Sequence, residues 1–172
     1  MDIFLDTGVV FGWSFDEDRF HSNAVSFVKK YPTKRNNYYS TKNILEIEVN
    51  KLTLERTNGL SRRIRKISQF YKQFCENIHD ISCHSHKAYT HLRQEIYRFL
   101  SSKGNPKKDY DAIYLTNALI WNGFTEKLVT PHFLTTDKND IYNNKEYLAT
   151  VGIACLNCKL DLKIEYLPNM IE

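Results

Sequence analysis

Ile3, Phe4 and Leu5 form an uncharged apolar run that ends in Asp6, and this stretch constrains the fold more than any other part of the chain. Three apolar residues are too few for a helix, and a run without alternation suits a strand buried on both faces. A carboxylate at the carboxyl end of such a strand costs several kcal/mol of desolvation unless a cation meets it. In open α/β sheets that end is also where ligands bind. Thr7, Gly8 and the apolar residues through Trp13 then read as a short helix leaving the strand.

The rest of the chain alternates helical and extended patterns. Asp16 is placed to cap a helix in which Phe20, Ala24, Phe27, Val28 and Tyr31 recur at helical spacing before Pro32 stops it. Tyr38-Tyr39-Ser40 reads as a second strand, followed by a helix holding Ile44, Leu45, Val49 and Leu52, with Glu46 and Glu48 in its first turns. Leu60, Ile64, Ile67, Tyr71, Phe74 and Ile78 mark the core face of a long helix. Arg62, Arg65, Lys66, Gln69 and Lys72 fall on its opposite face, a stripe that reads either as a solvated surface or as a phosphate-contacting one. A further helix carries Ala88, Leu92, Ile96, Phe99 and Leu100 and ends at Gly104-Asn105-Pro106. These two helices are expected to project as a hairpin or flap, an insertion at about residues 59–104 of a single domain. Asp109 to Trp121 reads as a helix capped by Asp109 and closed by Asn122-Gly123. Pro131 to Asp137 reads as a strand ending in aspartate, Lys145 to Cys155 as a helix, and Leu160 to Leu167 as an alternating closing strand. Strands alternating with helices call for a three-layer α/β/α sandwich with a mainly parallel sheet.

Two strands ending in Asp6 and Asp137, with Glu46 and Asp111 at two helix starts, would bring four carboxylates to one sheet edge. Such a cluster repels itself, and it is stabilised when a hard divalent cation, Mg²⁺ or Mn²⁺, sits among the oxygens. Glu48 is the alternative to Glu46, and Asp140 to Asp137, if the elements start elsewhere. Cys155-Leu156-Asn157-Cys158 has zinc-knuckle spacing, and Cys75, His79 and Cys83 recur at one-turn intervals, but idle thiols are the default reading. No secretory segment precedes the first strand and no stretch approaches a membrane span, so a cytoplasmic protein with reduced thiols is expected.

The chain resembles the PIN-domain nucleases, the family that includes the VapC-type toxins. The resemblance rests on a first strand ending in Asp6-Thr7, on Ser40 six residues ahead of Glu46, on Asp111-Ala112-Ile113 opening a helix, and on Thr135-Thr136-Asp137-Lys138 closing a strand. It implies an endoribonuclease using Mg²⁺ or Mn²⁺, with Asp6, Glu46, Asp111 and Asp137 as catalytic metal ligands and Thr7 or Thr136 orienting a carboxylate or water. It also implies RNA as substrate, a homodimer and a protein antitoxin as partner. Because a carboxylate cluster repels a polyanion, the basic stripe of Arg62, Arg65, Lys66 and Lys72 is expected to supply the RNA contacts. A noncatalytic RNA-binding or scaffold protein on the same fold is the alternative. At position 8, where the family has Ser or Asn, the chain has Gly8, so one hydrogen bond at the acidic site is expected to be missing.

Overall fold

Strand β1 (Asp2–Leu5) forms where the apolar run requires it, and it lies at the centre of the sheet. The computed structural model describes residues 1–72, 76–102, 108–125 and 130–172. In chain order these build β1, α1 (Thr7–Ser14), α2 (His21–Lys30), β2 (Asn37–Ser40), α3 (Lys42–Arg56), α4 (Leu60–Phe70), β3 (Ile78–Asp80) and α5 (Tyr89–Ser102). They continue with α6 (Asp109–Phe124), β4 (His132–Thr135), α7 (Lys145–Leu156) and β5 (Lys163–Tyr166). All strand pairs are parallel, in the order β3-β2-β1-β4-β5. The fold is therefore the expected α/β class, with helices covering the sheet.

The central strands carry continuous apolar residues because both faces are covered. Phe4 and Phe133 stack across β1 and β4 at 5.8 Å, and Trp121 of α6 meets Phe4 at 6.0 Å and Tyr39 of β2 at 4.6 Å. Helix α6 is buried almost all round, since it lies between the sheet and its neighbours α5 and α7. Ser40 donates its hydroxyl to the Leu5 carbonyl at 3.0 Å and ties the end of β2 to the end of β1.

Several expectations are corrected. The segment expected to be one helix from Leu60 to Ile78 holds α4 and then β3, a fifth strand that pairs Ile78 with Tyr38. His79 therefore lies in a strand and shares no helix face with Cys83; Cys75 and Phe74 lie outside the described residues, as does Gly104-Asn105-Pro106. Helix α4 packs on α3 and α1, whereas α5 packs on α6 and α7, so the two do not project as a hairpin.

Helix α4 is amphipathic, as its sequence demands, but it is turned the other way. Lys66 and Phe70 are buried, while Leu60 and Ile64 are 72% and 55% exposed. Lys66 goes inward because its stem runs along apolar surface, its ammonium stands over the Phe15 ring at 4.9 Å, and it pairs with Glu17 and, at 3.8 Å, with Asp16. Asp16 is thus an ion-pair partner and not the cap of α2; Asp18 accepts from the Phe20 amide there. Asp109 is likewise the first helical residue of α6 and pairs with Arg93. Among the described residues no helix is long and apolar enough to cross a membrane.

Candidate active site

In a parallel sheet whose chain leaves the central strand first to one side and then to the other, a crevice opens at the carboxyl ends of the two strands where the direction reverses. Here those strands are β1 and β4, paired in register through Leu5 and Leu134. Residues 6 and 135–137 therefore emerge side by side. The crevice between them has a volume of about 840 Å³, and Asp6, Glu48, Asp111, Asp137 and Asp140 all line it.

Asp6 follows β1 directly and caps α1, accepting from the Gly8 amide at 3.2 Å; its other oxygen accepts from the Thr135 hydroxyl. Burial, with Asp111 and Asp137 adding repulsion, pushes its carboxyl up to about 7. Glu48 is held by the Thr7 hydroxyl, and burial with the nearby charges of Asp6 and Asp111 lifts it to about 7 as well. Asp111, in the first turn of α6, is also raised by burial, with Lys108 opposing the shift.

Glu46 does not reach the crevice. Two residues apart on α3, it lies about 200° around the axis from Glu48, and its carboxylate meets the Tyr71 hydroxyl at 3.5 Å. Thr7 takes part through Glu48. Thr136 lines the crevice beside Gly8, where a Cβ would fall 1.9 Å from the Thr136 hydroxyl oxygen. The Thr136 hydroxyl, from the end of the neighbouring strand, thus fills the space that a residue-8 side chain would need.

The feature hidden from the sequence is Lys108. Only 7% exposed, it places its ammonium 2.9 Å from Asp111, 2.6 Å from Asp137 and 3.1 Å from Asp140. Burial would lower its pKa, but Asp111 and Asp137 outweigh it and hold the ammonium protonated well above the usual lysine range. Among the described residues no three acidic, His or Cys side chains stand close enough to hold a metal ion as they are placed; the ammonium stands among Asp111, Asp137 and Asp140. Its spacing from Asp111, i and i+3 at a helix start, was the one available signal. The basic stripe lies elsewhere: Arg62, Arg65 and Lys72 are exposed and outside the crevice, and Lys66 is engaged internally.

The raised carboxyls predict a pH dependence. In the unfolded chain Asp6 and Glu48 release protons near 3.8 and 4.5, but in the folded chain near 7. The folded state thus holds more protons between about pH 4 and 7, and stability falls as pH rises through that window. Urea denaturation without metal is expected to show a loss on the order of a few kcal/mol from pH 5 to pH 8. Equal stability at both would contradict the burial of these charges.

The doubly wound parallel sheet, with carboxylates lining the crevice at its switch point, is an α/β architecture consistent with a PIN-like fold. No family model and no curated protein sequence matches the chain. Among solved structures, a chain in the structure of FitAB bound to an IR36 DNA fragment is similar, with a TM-score of 0.53. The likeness covers 96% of this chain and 94% of that one at 12% identity, which makes it a likeness of fold.

Proposed function

We propose that this chain is a divalent-metal-dependent endoribonuclease that hydrolyses RNA phosphodiester bonds in the crevice between β1 and β4. The observation that supports this most is the meeting of five carboxylates at the switch point, two of them raised to about 7. Groups so destabilised as anions gain from a cation, and hard oxygen donors suit Mg²⁺ or Mn²⁺. Asp6, Asp111 and Asp137 would hold the ion, with Glu48 and Asp140 beside them in place of Glu46. When bound, the ion supplies Lewis acidity and positive charge for phosphodiester hydrolysis. The Thr135 hydroxyl orients Asp6, and the Thr7 hydroxyl orients Glu48. Lys108, displaced from between the carboxylates, offers its ammonium to an RNA phosphate. Arg62, Arg65 and Lys72 act only as a more distant positive field.

A second reading, an RNA-binding or scaffold protein without catalysis, is favoured by Lys108, which already supplies a counter-charge. A gel assay on single-stranded RNA separates the two. The nuclease cleaves in Mn²⁺ and not in EDTA, while the binding module retains RNA intact in both.

A homodimer and a protein antitoxin belong to the same proposal. Ile47 and Leu54 on α3 with Leu60 and Ile64 on α4, each half exposed or more, support a protein contact. Light scattering at micromolar concentration is expected to give twice the monomer mass. A monomer alone would count against the dimer.

A further inference from the structure

One wall of the crevice is built of rings and cations and takes no part in the acidic cluster. Phe20, Tyr166 and Tyr142 form a continuous half-buried series, with Phe20 edge-on to Tyr166 at 6.2 Å and Tyr166 to Tyr142 at 5.8 Å. Each ring carries a cation: Arg19 over Phe20 at 4.7 Å, Lys138 over Tyr166 at 5.7 Å and Lys145 over Tyr142 at 4.5 Å. Phe20, Tyr166, Arg19 and Lys138 line the same crevice as Asp6 and Asp137. A second hollow of about 420 Å³ shares Gly8, Arg19, Phe20 and Thr136 with it and continues to Arg56.

We infer that Phe20 and Tyr166, with Arg19 and Lys138, form a subsite that stacks unpaired bases and holds the adjoining phosphates of single-stranded nucleic acid beside the acidic cluster. Arg19 and Lys138 are exposed side chains free to swing off the rings; the uncovered rings then give bases a flat apolar face whatever the sequence, and the displaced cations track the backbone. The position answers an electrostatic difficulty. A cluster of five carboxylates repels a polyanion, so the strand needs cations within a few ångströms of the site, closer than the α4 stripe provides. Duplex is a poor fit, because its bases are already stacked on each other and have no free faces for the rings. The inference rests on the nuclease reading for its choice of ligand, but it concerns binding alone.

The test is fluorescence anisotropy with a labelled oligouridylate and a length-matched RNA duplex, in EDTA, so that the result is independent of cleavage. Phe20→Leu and Tyr166→Leu are each expected to weaken single-strand binding about 5- to 100-fold, with little effect on duplex, while Tyr166→Phe binds as wild type. Arg19→Gln with Lys138→Gln is expected to reduce the slope of log affinity against log salt by about 0.7 for each phosphate no longer neutralised. Arg19 and Lys138 are exposed, so this pair decides the matter even if a ring variant fails to fold. Wild-type affinity in folded ring variants, an unchanged salt slope in the double glutamine variant, or equal weakening for single strand and duplex would overturn the subsite. Competition by polyglutamate as effective as by RNA would overturn it too, in favour of an acidic protein ligand.

Discussion

Lys108→Met is expected to destabilise the metal-free protein by about 3 kcal/mol at pH 8. Methionine keeps the stem and removes the charge, which leaves Asp111, Asp137 and Asp140 facing one another without the cation they share. Removing one partner of a buried ion pair costs about 3–5 kcal/mol, and the lower end applies because the three carboxylate side chains are 24%, 25% and 22% exposed. Two features separate this from a packing defect. The cost should shrink toward pH 4, because burial raises the Asp111 carboxyl and its protonation removes one of the facing charges, and millimolar Mg²⁺ should restore stability by about 2.7 kcal/mol at a concentration one hundred times its Kd. Urea denaturation at the two pH values, with and without Mg²⁺, reads all of this. A cost that is the same at both pH values and insensitive to Mg²⁺ would make Lys108 a packing residue.

Asp6→Asn is expected to reduce RNA cleavage on the order of 10³-fold while raising metal-free stability at pH 8 by about 1–3 kcal/mol. The carboxylate is buried beside Asp111, so its charge costs the folded state whenever no cation compensates it. The amide keeps an acceptor for the Gly8 amide and removes the charge. The gain should shrink as pH falls below 7 and disappear below about pH 4, where Asp6 is protonated in the unfolded chain as well as the folded one, and Mg²⁺ should stabilise the wild type more than the variant. Cleavage at the wild-type rate by Asp6→Asn would remove Asp6 from any metal-holding role, whatever its effect on stability.

What could be read from the sequence follows from how local each signal is. Ile3 to Leu5 and Phe133-Leu134 are apolar runs that fit little else than buried strands, so β1, β4 and the residues at their ends were legible. Asp111 could be placed because it opens a long apolar helix. Strand β3 could not, since Ile78-His79-Asp80 offers one apolar residue and owes its conformation to pairing with β2. Helix α4 shows the limit of periodicity. The spacing of Leu60, Ile64 and Ile67 announces an amphipathic helix but not which side is covered, and the partners of Lys66 in residues 15–17 decided that. The choice between Glu46 and Glu48 turns on helix phase, which no residue before α3 announces: Thr41 stands at its N-cap without a side-chain capping bond. Lys108 had only its i,i+3 spacing to Asp111 as a local signal, because Asp137 and Asp140 reach it only when the start of α6 meets the segment following β4.

Titration of Mn²⁺ into the protein, with free Mn²⁺ followed by electron paramagnetic resonance, tests the crevice as a metal centre most directly. Wild type is expected to bind Mn²⁺ saturably in competition with Mg²⁺, Asp6→Asn and Asp111→Asn to bind it at least about tenfold more weakly, and Lys108→Met to bind it more tightly. Equal Mn²⁺ binding by wild type and both asparagine variants, or none by wild type, would contradict the account.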